Sequence, residues 1–262
     1  MLNNIYVPVA GALAQERALE AISNNLANVN TVGFKGDAVA FTLLNPEPNK
    51  NYPSAIPPAN FKEDMSSVFP LRGNEMNSVG VATVERDFSQ GPAIHTQNAH
   101  DVMLQGDGFL SVQTPEGVRY TRAGDLSLTN DGVLSSKKGD PIMGEKGLVY
   151  VRSTDFKINA QGEIFQDGQM VDRLKVVTFD NKKELEKVGN NYYHFGGDEK
   201  SIKPAANCRI EQGFLEGSNV NAVKSMTSMI VAHRSYEAYQ KAVSNYDKMM
   251  EKSSNVIGEV RA

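Results

Sequence analysis

Catalysis needs acid, base, nucleophile or metal ligands that can converge, so the residues able to supply them come first. The four histidines, His95, His100, His194 and His233, are scattered, and no His-Glu-x-x-His or paired-cysteine spacing joins them. Each reads as a surface or packed histidine. Gly106-Asp107-Gly108 is a fragment of a glycine-rich loop. It lacks the third glycine and the strand-to-helix setting of a dinucleotide cradle, so a β-turn is the better reading. Asp125 and Asp131 sit near turn residues without the ligand order of a calcium loop. No Gly-x-Ser-x-Gly elbow is present. A carboxylate pair for glycoside hydrolysis is set by spatial separation, which spacing along a chain does not reveal. A β protein with carbohydrate-directed binding or hydrolysis therefore stays open as a reading of another class. The chain contains no tryptophan to stack on a sugar. No cofactor, metal site or enzyme activity is expected.

Composition narrows the remaining classes. The 262 residues are 40% hydrophobic and 22% charged, and the formal net charge of −4 makes no electrostatic case for nucleic acid. No run of about 18 apolar residues is present, so no membrane-spanning helix is expected. Cys208 is alone, which excludes an internal disulfide. Ile5–Ala14 is a short apolar run, but no Lys or Arg precedes it and Pro8 and Gly11 interrupt it. A cleaved signal peptide is therefore not expected.

The elements around these residues fall into three kinds. A 3-4 spacing runs Ile5, Pro8, Ala12, Gln15, Leu19, Ile22, Leu26, Val29 and stops near Asn30-Thr31, with Gly33 beyond. A second stripe runs Met229, Ala232, Tyr236, Tyr239, Val243, Tyr246, Met250, Ser253, Ile257, Val260, at heptad spacing over about four heptads. Ser218-Asn219 stands where a cap would open this second helix. Pro46, Pro48, Pro53, Pro57 and Pro58 exclude helix between them, because proline lacks the amide donor and blocks the preceding turn. From Val79 to Gly213, short β-branched and aromatic runs alternate with turn signals at Pro115-Glu116-Gly117, Asn130-Asp131-Gly132, Lys138-Gly139-Asp140, Ala160-Gln161-Gly162 and Asp167-Gly168.

The expected architecture is α+β. Residues 1–35 and 218–262 form a terminal helical domain whose two helices pair as a coiled-coil core. Residues 36–78 form an extended Pro/Asn-rich connector, and 79–217 an all-β middle domain with hairpins. Neither helix can bury apolar residues on more than one face against a single partner helix, so neighbouring subunits must supply the rest.

Several blocks carry a resemblance. Ser23-Asn24-Asn25-Leu26-Ala27-Asn28-Val29-Asn30-Thr31-Val32-Gly33-Phe34-Lys35 is similar to the N-terminal signature of the bacterial flagellar rod and hook axial family. Gln212-Gly213-Phe214-Leu215-Glu216-Gly217-Ser218-Asn219-Val220, and then Met229-Ile230 with Arg234-Ser235-Tyr236-Glu237 and Lys241, resemble its C-terminal entry and helix. Asp87–Gly91, Gly106–Phe109, Tyr120–Gly124 and Asp131–Leu134 resemble its middle blocks. The similarity runs from about Ile5 to Val256. Gln97–Val102, Leu110 and Gly36 depart from the usual pattern. The opening residues and the diverged middle look most like the proximal-rod member, with the distal-rod or another axial member as the alternative.

The resemblance implies a structural subunit of the basal-body rod, polymerising into a hollow drive shaft within the periplasm. It implies partners of two kinds: further copies and other axial rod proteins, and the flagellar type III export apparatus, which passes unfolded chains without signal cleavage. The residues expected at the assembly interface are Leu19, Ile22, Asn24, Asn25, Leu26, Asn28 and Val29 at one end. At the other they are Met229, Tyr236, Tyr239, Val243, Tyr246, Met250 and Ile257. The asparagines have two readings, helix termination or pairing with polar groups of a neighbour to fix register.

Overall fold

A computed structural model describes residues 6–44, 78–152, 155–205 and 207–259. Two helices flank a β-rich middle: α1 spans Tyr6–Ala27 and α2 spans Ala222–Glu259. At 1.5 Å per residue they extend about 33 Å and about 57 Å. No helix among the described residues is long and apolar enough to cross a membrane.

The proline-rich part of the expected connector, residues 45–77, lies outside the described residues. Its flanks do not run as single extended chain. Strand β1 (Asp37–Leu44) pairs with β2 (Ser78–Arg86) in a two-stranded ribbon. The β-branched and aromatic content of both stretches suits paired strands better than a linker.

The chain divides into two compact units. One comprises residues 1–23, 39–84 and 226–262, and the other residues 24–38 and 85–225. The second unit centres on a six-stranded antiparallel sheet. Its strand order is Leu185–Lys187, Tyr192–Phe195, Gly117–Thr121, Phe109–Thr114, Val176–Phe179, Ile202–Pro204. The turn chemistry acts as the sequence indicated. Pro115-Glu116 closes the Phe109–Thr121 hairpin, with Thr114 opposite Gly117. Asp167 and Gly168 both take positive φ between Gln166 and Gln169, the conformation a two-residue hairpin requires.

Alternation along these strands fills two cores. Leu104, Leu110, Leu134, Ile142 and Ile164 anchor the larger. Phe109, Phe179, Tyr193 and Phe195 form an aromatic one, with edge-on and tilted rings 4.7–5.9 Å apart. The six-stranded sheet and both cores close within this unit, so it has the contents of an independently folding body.

In the other unit the two helices meet at Gly11. A Cβ on Gly11 would come within 2.5 Å of the Tyr239 ring, so any larger residue there requires the ring to shift. The buried positions of α1 are Pro8, Gly11, Ala14 and Ala18. That face is turned by about one residue from the stripe traced through Ala12, Gln15, Leu19 and Ile22. Small side chains, not the largest apolar ones, mark the closest packing. On α2 the first half of the traced stripe is covered, with Ala232 buried and Met229, Tyr236, Tyr239 and Val243 half-buried, while Tyr246, Met250 and Ser253 are exposed.

Candidate assembly surface and the buried junction

Helix α1 ends through its own asparagines. The Asn28 amide nitrogen and its side-chain Nδ2 both donate to Asn24 O, at 3.2 and 2.9 Å. Thr31 Oγ1 donates to Asn28 Oδ1 at 3.1 Å, and Gly33 follows with φ +65°. Asn25 faces another way. Its Nδ2 donates to Asp37 O at 2.7 Å, and its Oδ1 accepts from Asp37 N at 2.9 Å. Asn25 thus fastens the last turn of α1 to the base of β1, and both its polar ends are occupied within the chain.

Helix α2 opens two residues beyond Asn219, the last residue of the expected cap. Asn221 is the cap: Lys224 N donates to its Oδ1 at 3.0 Å, and Ser225 N to its carbonyl at 2.9 Å. Asn219 is committed elsewhere, accepting from Gly36 N at 2.9 Å and donating to Asp87 O at 2.7 Å. Ser218 Oγ accepts from Val220 N, so it shapes the turn before the helix.

Between these two helix ends lies a buried cluster of charge. Lys35 Nζ donates to Glu216 Oε1 and to Ser89 O, both at 2.6 Å. Gly91 N donates to the same Oε1 at 3.0 Å, and Arg122 Nη1 to Oε2 at 3.4 Å. Both Lys35 and Glu216 have side chains of 0% accessibility, and Arg122 has 2%. The Arg122 guanidinium also lies 5.0 Å from the Phe109 ring centre. Burial holds the Lys35 ammonium below the usual lysine range, partly offset by its bond to Glu216. At the outer margin, Asp107 bonds Lys182 at 2.7 Å, which lowers its carboxyl.

The backbones at this junction touch directly. A Cβ on Gly33 would meet the Arg122 carbonyl carbon and Ala123 N at 2.5 Å, and one on Gly91 would strike the Gly217 carbonyl. Gly33 N donates to Glu216 O at 2.7 Å. Alongside, Lys187 Nζ bonds Asp37 at 2.7 Å and lies 4.5 Å from the Phe34 ring centre, while Arg86 donates to Leu185 O. The sequence reading missed this cluster. Its members were visible only as letters within separate blocks, and no local spacing links Lys35 to Glu216 across 181 residues.

The remaining expected interface residues fall as follows. Leu19, Ile22, Leu26 and Val29 are half-buried, and Asn28 and Val29 lie in the turn beyond α1. Tyr246 and Met250 are exposed, and the Ile257 side chain lies outside the described residues. Further apolar residues stand open to solvent on the helices: Leu13 on α1, and Val223, Ile230, Val231 and Met249 on α2, each between 55% and 72% exposed.

The residues screened for chemistry sit in structural roles. His95 stacks on Phe214, His100 meets Phe156 edge-on, His194 contacts Arg119 and His233 pairs with Glu237 one turn along α2. Burial pushes the Cys208 thiol upward, away from the reactive thiolate. Among the described residues no three His, Cys, Asp or Glu side chains group as a metal site.

Comparison with known proteins adds a consistent set of likenesses. Residues 5–35 match the flagella basal body rod protein family, 103–166 the D1 domain of the flagellar hook protein FlgE/F/G family, and 211–256 the C-terminal family of flagellar basal body rod FlgEFG proteins. The chain is 31% identical to the flagellar basal-body rod protein FlgG of Buchnera aphidicola subsp. Acyrthosiphon pisum, over 98% of this chain and 100% of that one. It is 28% identical to the rod protein FlgF of Caulobacter vibrioides, over 99% and 100%. It is also 28% identical to FlgG of Bacillus subtilis, over 98% and 99%.

Proposed function

Because the chain belongs to the flagellar basal-body rod protein family, we propose that its terminal helices polymerise it into the hollow drive shaft of the basal body. It is a structural subunit of the rod, of the proximal-rod type, and not an enzyme. Relatives matched over nearly its full length are flagellar rod proteins, which does not favour the carbohydrate-directed reading. Its neighbours are further copies and other axial flagellar proteins.

The single observation that supports polymerisation through the helices is the exposure of Leu13, Val223, Ile230, Val231 and Met249. Large apolar side chains concentrated on two elements mark a surface that a partner covers. Each such side chain contributes about 1.5–3 kcal/mol when fully buried. Ordering the helices costs about 1–2 kcal/mol per residue in backbone freedom, so the balance turns favourable only when many chains share the contacts. The helices pair as a coiled-coil core with Tyr239 and Val243 on its seam. The rod stands in the periplasm. The chain reaches it unfolded through the type III apparatus without signal cleavage.

The test uses a position with no folding role. Ile230 is 55% exposed, so Ile230→Asp leaves the soluble chain's melting temperature within about 2 °C, as surface substitutions usually do. In cells carrying only this variant, the chain is secreted but rods fail and swimming is lost. Normal swimming with Ile230→Asp would remove the proposal that this face is covered in the shaft.

A further inference from the structure

We infer that Lys35, Arg122 and Glu216 are positioning residues that fasten the segments bounding both terminal helices into the β-rich unit, so that the ends of α1 and α2 are set by folding of the chain itself before any neighbour is met. This deepens the assembly reading and depends on it for its purpose, not for its geometry.

Four separate stretches meet at this junction, three of them bonding directly to the Glu216 carboxylate or its carbonyl. Lys35 and Gly33 come from the segment after α1, Ser89 and Gly91 from the segment after β2, Arg122 from the end of a central strand, and Glu216 from the approach to α2. The outer ties run from the end of α1 and from the segment just before α2. Asn25, in the last turn of α1, holds Asp37. Asn219, two residues before the Asn221 cap, holds Gly36 and Asp87. All these residues lie in the unit formed by 24–38 and 85–225, which includes the last turn of α1 and the first of α2.

Charge gives this fastening a selectivity that apolar packing lacks. Apolar contact is non-directional, so it tolerates a small shift of the packed segments at modest cost. A slip here strands a fully buried carboxylate or ammonium without its partner, and an unpaired buried charge is far more costly than a poor contact. Gly33 and Gly91 sharpen the constraint, because backbone presses on backbone at both and no side chain can yield. Only one alignment of the two helix-flanking segments satisfies every group. A chain that arrives unfolded would thus present correctly set helix ends only after its β-rich unit has closed around Glu216.

Native-state hydrogen exchange on the purified full chain tests this. The amides of Gly33, Gly36 and Gly91 donate into the junction, while those of Leu134 and Ile142 donate within the β core. The expected result is one shared opening: all five exchange at matched protection, slower than the amides in the middle of α2. In Lys35→Met all five accelerate together by about 100- to 1,000-fold. Two outcomes overturn the inference. One is junction amides that exchange as fast as those of α2 in the wild type. The other is a Lys35→Met variant in which Leu134 and Ile142 keep their protection while the glycines lose theirs. A second variant, Lys35→Met/Arg122→Leu/Glu216→Met, removes all three charges and with them the penalty of an unpaired one. It is expected to recover core protection relative to Lys35→Met but to assemble poorly. Normal swimming by this variant would show that the charges set stability and not position. Failure of the polymerisation reading would instead appear as normal swimming with Ile230→Asp, leaving the exchange data untouched.

Discussion

Lys35→Met is expected to lower the melting midpoint of the β-rich unit by roughly 10 °C. The substitution is nearly isosteric, so packing changes little and the effect isolates the charge. It leaves Glu216 with 0% accessibility, an amide from Gly91 at 3.0 Å and a single long guanidinium contact at 3.4 Å. Breaking a buried ion pair from one side costs about 3–5 kcal/mol. For a domain of this size each kcal/mol moves the midpoint by about 2–4 °C. Burial of the Lys35 ammonium works against the pair, since it holds that group below its usual range. Because the lysine's own desolvation cost disappears with it, the loss lies toward the lower end of that span. A surface pair supplies the contrast. Lys183 bonds Glu85 at 2.7 Å, as short as the junction bonds, but the two side chains are 77% and 54% exposed. Solvent screens an exposed pair, so Lys183→Met moves the midpoint far less than Lys35→Met does. Calorimetry of the two variants side by side decides the matter. Equal small shifts would mean that the Lys35 site is hydrated in solution and that its geometry contributes little.

Val243→Asp is expected to abolish rod formation while leaving the β-rich unit intact. Val243 is half-buried one turn beyond Tyr239, the residue whose ring faces Gly11. Both belong to the helical unit, as does Gly11. A carboxylate there enters the proposed seam between helices, where an unpaired charge costs several kcal/mol. No residue of the β-rich unit changes, so its melting transition stays where it is in the wild type. Secretion persists too, since the proposed export route takes unfolded chain. The combination of secreted protein, unchanged β-unit melting and absent rods separates an assembly defect from a folding defect. Wild-type rods and normal swimming in Val243→Asp cells would place residue 243 on a solvent-facing side of the assembled helix and shift the heptad register. A lowered β-unit midpoint would show that α2 stabilises its own subunit instead of joining neighbours.

Much of the architecture was legible in the sequence, because it follows from local rules. The Asp167-Gly168 and Pro115–Gly117 turns need only the residues that form them, since positive φ and proline's fixed φ are properties of single residues. The two end helices, the β-rich middle and the covered first half of the α2 stripe, Met229 to Val243, follow from periodicity for the same reason, while Tyr246, Met250 and Ser253 further along it are exposed. The face of α1 was less legible. Tracing large apolar residues picked Leu19 and Ile22, whereas the deepest positions are Gly11, Ala14 and Ala18, where small side chains let Tyr239 approach. That preference depends on what lies opposite, which helical spacing does not encode. The same holds for the start of α2. Ser218, Asn219 and Asn221 are all competent caps by residue type. Asn221 serves because Asn219 is drawn away to Gly36 and Asp87. The junction shows the division most clearly. Lys35, Arg122 and Glu216 look like ordinary surface charges in a chain read residue by residue, because ionisable side chains are rarely buried. Folding brings together groups 181 and 94 residues apart and removes water from around them. The same three charges then become the ties between both helix ends and the β-rich unit, since Coulomb attraction and desolvation depend on distance and burial in space, not on position along the chain.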